Sequence, residues 1–359
     1  MNSCAAKQIV DEVAVIVKAG NLLHSVMYAI ISAMNTEKTA ERLLSALEKA
    51  IKGKKDVLRL FITAYLTGGH VLLEDVPGVG KTTLVKTFAA LIEKDGQPAR
   101  FKRIQCTPDL LPYDITGVEV FNAGRNTFEF MEGPVFADIL LADELNRTPP
   151  KVQSALLEAM AERQVTAGTV TRPLSPYFFT AATQNPVESL GTYPLPAAQL
   201  DRFSICLSIG YPDEEAETEL LHEQTHPTAA EPEPVTPVVS IRDIAASREE
   251  QRQVFVHPVL EKIIARIGKE TRAHPAFKLG TSPRAGLHLL HLARTFALVN
   301  GRNWVEDGDI RTLSSLVLAH RCLIKTGGGT ASELIGNITE TVIRTADKQT
   351  DWTKPAEAH

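Results

Sequence analysis

The segment EDVPGVGKTT, residues 74–83, restricts the fold more than any other stretch of the chain. A continuous apolar run, HVLLE (70–74), leads into it, and TLVKTFAALIE (83–93) leaves it with helical periodicity. Strand, glycine turn and helix in that order make a phosphate-binding loop. Gly78 and Gly80 permit the backbone conformations that turn several N–H groups toward phosphate oxygens. The helix N-terminus adds its dipole at the same point. Lys81 is placed to bridge β- and γ-phosphates, and Thr82 to hold Mg²⁺. The general pattern GxxxxGK[ST] begins with glycine where this chain carries Asp75; the GKT core is intact.

Four further apolar runs follow: FKRIQC (101–106), ILLAD (139–143), FFTAAT (178–183) and ICLSIG (205–210). Runs that are apolar throughout belong to strands buried on both faces, and therefore to a parallel sheet flanked by helices. PPKVQSALLEAMAER (149–163) opens on prolines, which a first helical turn tolerates, and sets Val152, Ala155, Leu156, Ala159 and Met160 on one stripe. Two hairpins interrupt this α/β scheme. VEVF (118–121) pairs with TFEF (127–130), and QVTAGTVT (164–171) turns near Gly168.

The predicted layout is a helical extension over 1–35, an α/β core over 36–225 and a proline-rich linker over 226–240. A smaller all-helical part follows over 241–345, then a polar tail over 346–359. Of the 359 residues, 44% are hydrophobic and 23% charged, which is enough apolar material for a core and excludes a wholly disordered chain. The 38 basic and 43 acidic residues leave a net charge of −5, which gives non-specific nucleic-acid binding no support. The apolar-leaning run LLHSVMYAIISAM (22–34) contains His24 and falls short of the roughly 20 residues of a membrane span. Cys4, Cys106, Cys206 and Cys322 form no CxxC pair, as expected of a cytoplasmic protein.

Chemistry gathers where predicted strands end. ILLADEL closes a buried strand with Asp143 and Glu144. In open α/β sheets that end faces the ligand. Asp143 can hold Mg²⁺ through water, and Glu144 can polarise the water that attacks a γ-phosphate. ATQNP puts Asn185 at another strand end, where its amide either orients the same water or turns the chain before Pro186. QLDRFS sets Arg202 before the last strand, either to stabilise transition-state charge or to pair with Asp201 at the surface. GTSPRAG places Arg284 in the first turn of a helix begun by Ser282 and Pro283, as a phosphate ligand or a solvated cation.

With these motifs in this order, the chain resembles the AAA+ ATPases and, more narrowly, the MoxR family. The resemblance rests on GHVLLEDVPGVGKTTL, RIQCTPDLLPYDITGVEVF, FEFMEGPVFADILLADELNRTPPKVQSALLEAMAERQVT, ATQNPVESLGTYPLPAAQLDRF, LGTSPRA and VLAHR. It spans roughly residues 37–325 and leaves residues 1–35 outside. It implies an AAA+ P-loop core with a five-stranded parallel sheet flanked by helices, plus a smaller all-helical lid. It also implies ATP or ADP with Mg²⁺ as ligands. Pro77, Gly78, Val79, Gly80, Lys81, Thr82 and Thr83 would form the Walker A loop, with Thr82 and Asp143 on the metal and Lys81 and Glu144 in catalytic roles. Asn185 would be sensor 1, Arg202 the arginine finger, and Arg284 the sensor 2 arginine, acting in cis or in trans. IKGK (51–54) resembles the family's adenine-proximal segment, which adds Gly53 to the nucleotide set; Lys54 stands where Gln is usual, and Ala197 where Glu is more common. The hairpins at 118–130 and 164–171 would be the helix-2 and pre-sensor-1 inserts. The resemblance further implies a homo-oligomeric ring, usually a hexamer. Its work would be chaperone-like maturation of a client protein, often one with a von Willebrand factor A domain.

Two alternatives stay open at this level. One is a DNA-acting AAA+ motor, although the insert QVTAGTVTRPL carries only Arg172 as a cation. The other is a nucleotide-gated scaffold with negligible turnover. A small-molecule kinase is disfavoured by Glu144, Asn185 and Arg202 together. No nucleic-acid partner and no membrane span are expected.

Overall fold

The computed structural model describes residues 35–186, 191–225, 235–327 and 329–349. Five strands form one sheet: β1 (Val71–Glu74), β2 (Phe101–Gln105), β3 (Ile139–Asp143), β4 (Phe179–Gln184) and β5 (Ile205–Leu207). Their order across the sheet is β5-β1-β4-β3-β2, and every neighbouring pair is parallel. The helices are α1 (35–48), α2 (Lys55–Thr67), α3 (Lys81–Ala90), α4 (Pro150–Glu162), α5 (Glu214–Thr225), α6 (Ile241–Gln253), α7 (Pro258–Ala273), α8 (Pro283–Val299), α9 (Asp307–Leu318) and α10 (Ala331–Gln349).

Pleating divides the apolar runs between two cores. Val71 and Leu73 of β1 join the cluster that holds Phe61 and Tyr65 of α2 and Phe88 of α3. Leu72, pointing the other way, joins Leu156, Leu157 and Met160 of α4. The sheet therefore lies between two helical layers, as continuous apolar strands require. The exception is β2: expected to be buried on both faces, it is an edge strand with Lys102, Arg103 and Gln105 exposed. On the first face the rings of Phe61, Tyr65, Phe88 and Phe179 meet edge to face, with Tyr65 and Phe88 centroids 4.9 Å apart. β5 is an edge strand, and α9 packs on it, so this edge is covered.

The predicted hairpins are present as Gly117–Asn122 with Thr127–Glu132 and Gln164–Ala167 with Val170–Pro173. The helix expected over 83–93 stops at Ala90, and Ile92–Lys94 is a short strand. Ile92 is fully buried and pairs in parallel with Val239, so β-branched burial and a remote partner outweigh local helical periodicity. The same pairing anchors the end of the proline-rich segment, of which 226–234 lie outside the described residues. The part beyond residue 241 is helical but holds one short antiparallel pairing, Phe277–Leu279 with Leu323–Ile324. The predicted extension before residue 35 and the tail beyond 349 also lie outside the described residues. No helix among those described is long and apolar enough to cross a membrane.

His70, just before β1, is buried; Thr180 N donates to its Nδ1 at 3.0 Å, and its Nε2 lies 3.2 Å from Met160 O. Burial pushes this imidazole down to about 4, so the fold holds it neutral. An unfolded His titrates near 6.5. Between those values the unfolded chain binds more protons, and stability must fall as pH falls. Urea unfolding is expected to show up to about 1.4 kcal/mol lost per pH unit below pH ~6.5 from this group. His70→Asn, which keeps an acceptor for Thr180 N, should remove that part of the slope; an unchanged slope would refute the assignment.

Candidate functional site

The register brings the strand ends level. Gln105 lies opposite Asp143, Ala142 opposite Ala182, and Glu74 opposite Gln184. Above these ends is a cavity of about 380 Å³. The turn between β1 and α3 contributes Pro77, Gly78, Gly80, Lys81, Thr82 and Thr83. The neighbouring strands contribute Arg103, Asp143, Glu144, Thr183, Gln184 and Asn185. A larger cavity of about 950 Å³, between α7 and α10, has no strand-end residue in its wall.

Gly78 and Gly80 adopt φ of +88° and +85°, which a side-chain-bearing residue rarely does. A Cβ on Gly78 would have no neighbour within 4 Å, so conformation rather than clearance calls for glycine there, and the space over the loop is open. Lys81 Nζ donates to the carbonyls of Asp75 (2.8 Å) and Val76 (2.9 Å), folding the ammonium over the loop. The Val79 side chain packs into the core, which leaves its backbone on the loop. Asp75, the departure from the general pattern, has a structural reason. Its buried carboxylate accepts from Ser208 Oγ (2.8 Å), Ile209 N (2.7 Å) and Gly210 N (3.0 Å), tying the loop to the segment that leaves β5.

The acidic pair is held from several sides. Asp143 Oδ1 accepts from Thr183 Oγ1 (2.7 Å), while Oδ2 accepts from Arg103 Nε (3.1 Å) and Nη2 (2.7 Å). Glu144 sits in the left-handed region with φ 59°, a conformation that costs a non-glycine residue about 1–3 kcal/mol. Its N–H donates to Thr183 Oγ1 at 2.8 Å, so one buried hydroxyl fixes both acidic residues. Its carboxylate accepts from Gln105 Nε2 (3.0 Å) and lies 3.2 Å from Arg147 Nε. Asn185 is buried at the rim beside them.

Three predicted residues stand apart. Gly53 (φ +71°) backs onto the carboxylate of Asp213 and does not line the cavity. Neither Arg202 nor Arg284 lines it. Arg202 Nε is buried without a hydrogen-bond partner among the described residues. Arg284 is exposed in the first turn of α8, and Ser282 caps that helix by accepting from Ala285 N at 3.2 Å, as the sequence implied. Sequence reasoning missed Arg103, Gln105 and Thr183. The spacing of Arg103 and Gln105 did place them on one face of a strand; nothing in the sequence marked Thr183.

The residues in the cavity fit a Mg²⁺–nucleotide. A glycine cradle opens onto free space, an ammonium stands at its base, and the Thr82 hydroxyl and Asp143 carboxylate share its wall. Mg²⁺ is ordinarily held by one or two protein oxygens with phosphates and water rather than by an all-protein cage.

A profile of the "ATPase family associated with various cellular activities (AAA)" matches residues 70–205, and one of the AAA lid domain matches 269–335. The chaperone MoxR1 of Mycobacterium tuberculosis is 40% identical over 307 residues, covering 82% of this chain and 78% of that protein. The chain belongs to the MoxR family of AAA+ ATPases. This MoxR-family chain is also 46% identical over 280 residues to the uncharacterized protein YeaC of Bacillus subtilis, covering 77% and 85% of the two chains. A crystal structure of a candidate ATPase from Cytophaga hutchinsonii superposes with a TM-score of 0.77 at 36% identity, over 92% of this chain and 99% of the other. The helical part beyond residue 241 thus includes an AAA lid, and the five-stranded sheet is the AAA+ core.

Proposed function

We propose that this chain binds ATP with Mg²⁺ and hydrolyses it to ADP and phosphate within a homo-oligomeric ring of six subunits. The cycle would remodel or mature a client protein in the cytoplasm, with a von Willebrand factor A domain protein as the client class. The observation that carries the reading is one cavity shared by the glycine loop, Lys81, Thr82, Asp143, Glu144 and Asn185. The loop N–H groups and Lys81 bind phosphate oxygens, and Thr82 and Asp143 hold the metal. When bound, Mg²⁺ neutralises charge developing on the phosphates. Glu144 takes the proton of the attacking water, and Asn185 orients that water. Arg202 and Arg284 stand outside the cavity of their own chain, which favours delivery of at least Arg202 from a neighbouring subunit. The name of the mycobacterial relative supports the chaperone reading. A DNA-acting motor has less support, because Arg172, the cation of the second hairpin, is engaged by Glu119 (3.5 Å) and stacks 3.9 Å from the Phe130 ring.

The test is direct binding. Lys81→Ala removes a charge-assisted contact worth about 1.5–3 kcal/mol, so ATP affinity should drop about 10- to 100-fold. Unchanged affinity in a calorimetric or fluorescent-nucleotide titration would remove the phosphate-binding role of the loop.

A further inference from the structure

The residues on either side of Arg202 are both fastened to the lid. Asp201 accepts the Ser282 hydroxyl, with its carboxylate oxygens at 3.0 and 3.1 Å, and lies 3.5 Å from Arg321 Nε. On the other side, the carbonyl of Phe203 accepts from Arg321 Nη2 and lies 3.3 Å from His320 Nε2. Arg321 is only 3% exposed, and its Nε and Nη1 have no hydrogen-bond partner among the described residues, so its hold on Asp201 is an ion pair while its hold on Phe203 is a hydrogen bond. Ser282 is also the cap of α8, whose first turn bears Arg284. One hydroxyl therefore links the Arg202 turn to the Arg284 helix. A buried ion pair contributes little to stability over an apolar pair. A planar guanidinium that bonds the carbonyl at 203 and faces the carboxylate at 201 restrains both flanks of the residue between them.

We propose that Ser282 and Arg321 are positioning residues, which lock Arg202 to the lid so that Arg202 and Arg284 move as one unit. This rests on the function proposed above. Burial pushes the Arg321 guanidinium down to about 10 against the pull of Asp201, and Arg284 adds repulsion. Arg284 thus feels the same cluster as the residues around Arg202.

Two substitutions of one residue separate capping from coupling. Asp and Asn are both good helix caps. Ser282→Asn keeps a donor for Asp201, whereas Ser282→Asp sets one carboxylate against another. The 201–203 turn is held by Asp201 N to Ala197 O (3.0 Å), Arg202 N to Gln199 O (3.2 Å) and Phe203 N to Leu200 O (3.1 Å). In full-length protein without nucleotide, Ser282→Asp should speed hydrogen exchange of these three amides by about tenfold or more, since their opening would be local. With Mg-ATP, its kcat should fall about 10- to 100-fold, the cost of misplacing a catalytic group by an ångström. Its ATP affinity should hold, and Ser282→Asn should behave as wild type in each measurement. Wild-type exchange and turnover in Ser282→Asp, or equal losses in both variants, would overturn the coupling. Arg202→Ala measured alongside separates the levels. If Arg202→Ala loses turnover and Ser282→Asp does not, only the coupling fails. If Arg202→Ala turns over normally, the role of Arg202 fails and takes the coupling with it.

Discussion

Replacing Glu144 with Gln is expected to leave ATP bound while slowing hydrolysis about 10²–10⁴-fold, the range contributed by a positioned general base. The change is nearly isosteric; it removes the ability to take a proton and the charge facing Arg147 Nε at 3.2 Å, a partly exposed pair worth little to stability. The backbone that aims the side chain does not depend on the carboxylate. Its left-handed conformation is held by the Glu144 N–H on Thr183 Oγ1 and by the turn from Glu144 O to Arg147 N at 2.8 Å. Gln105, 3.0 Å from Glu144 Oε2, can pair as readily with an amide. Fold stability should therefore hardly move while turnover collapses. Phosphate release under single-turnover conditions, beside a direct ATP titration, separates the two quantities. Near-wild-type release would strip Glu144 of its role. Because the variant should stall with ATP in place, it is also the form most suited to capturing a client by co-purification.

Much of the core was legible because its signals are local. β3 matches its apolar run, ILLAD, residue for residue. The hairpins follow from alternation over a few positions, and the glycine loop from a contiguous motif between strand and helix. What stayed hidden depends on partners distant in sequence. The end of α3 is decided by Val239, which pairs with Ile92. Asp75 looked like a flaw in a phosphate-binding pattern; its meaning lies in the amides of Ile209 and Gly210. Thr183 is an ordinary strand residue until Asp143 and Glu144 arrive on either side of its hydroxyl. Arg321 was one letter of a short family-like stretch, and only the meeting of lid and core sets it against Asp201 and Phe203.

Arg202→Ala should retain ATP affinity and lose about 10³–10⁵ in turnover, the effect of an arginine that stabilises transition-state charge on phosphate. The separation of binding from rate follows from where the side chain lies. Arg202 does not line the cavity of its own chain, so removing it leaves the loop, Lys81, Thr82 and Asp143 as they are. A finger supplied by the next subunit makes a stronger claim than loss alone. An Arg202→Ala subunit keeps an intact Glu144 but offers its neighbour no arginine; a Glu144→Gln subunit has a dead site but offers an intact Arg202. Mixed in equal amounts in a head-to-tail ring, about one interface in four would join a live site to a live finger. Activity should then rise from near zero toward a quarter of wild type, and the rise should depend on assembly, vanishing on dilution below the concentration at which subunits associate. An arginine acting within its own chain predicts the opposite: each inactive subunit stays inactive whatever stands beside it, and the mixture shows only the sum of two residual rates.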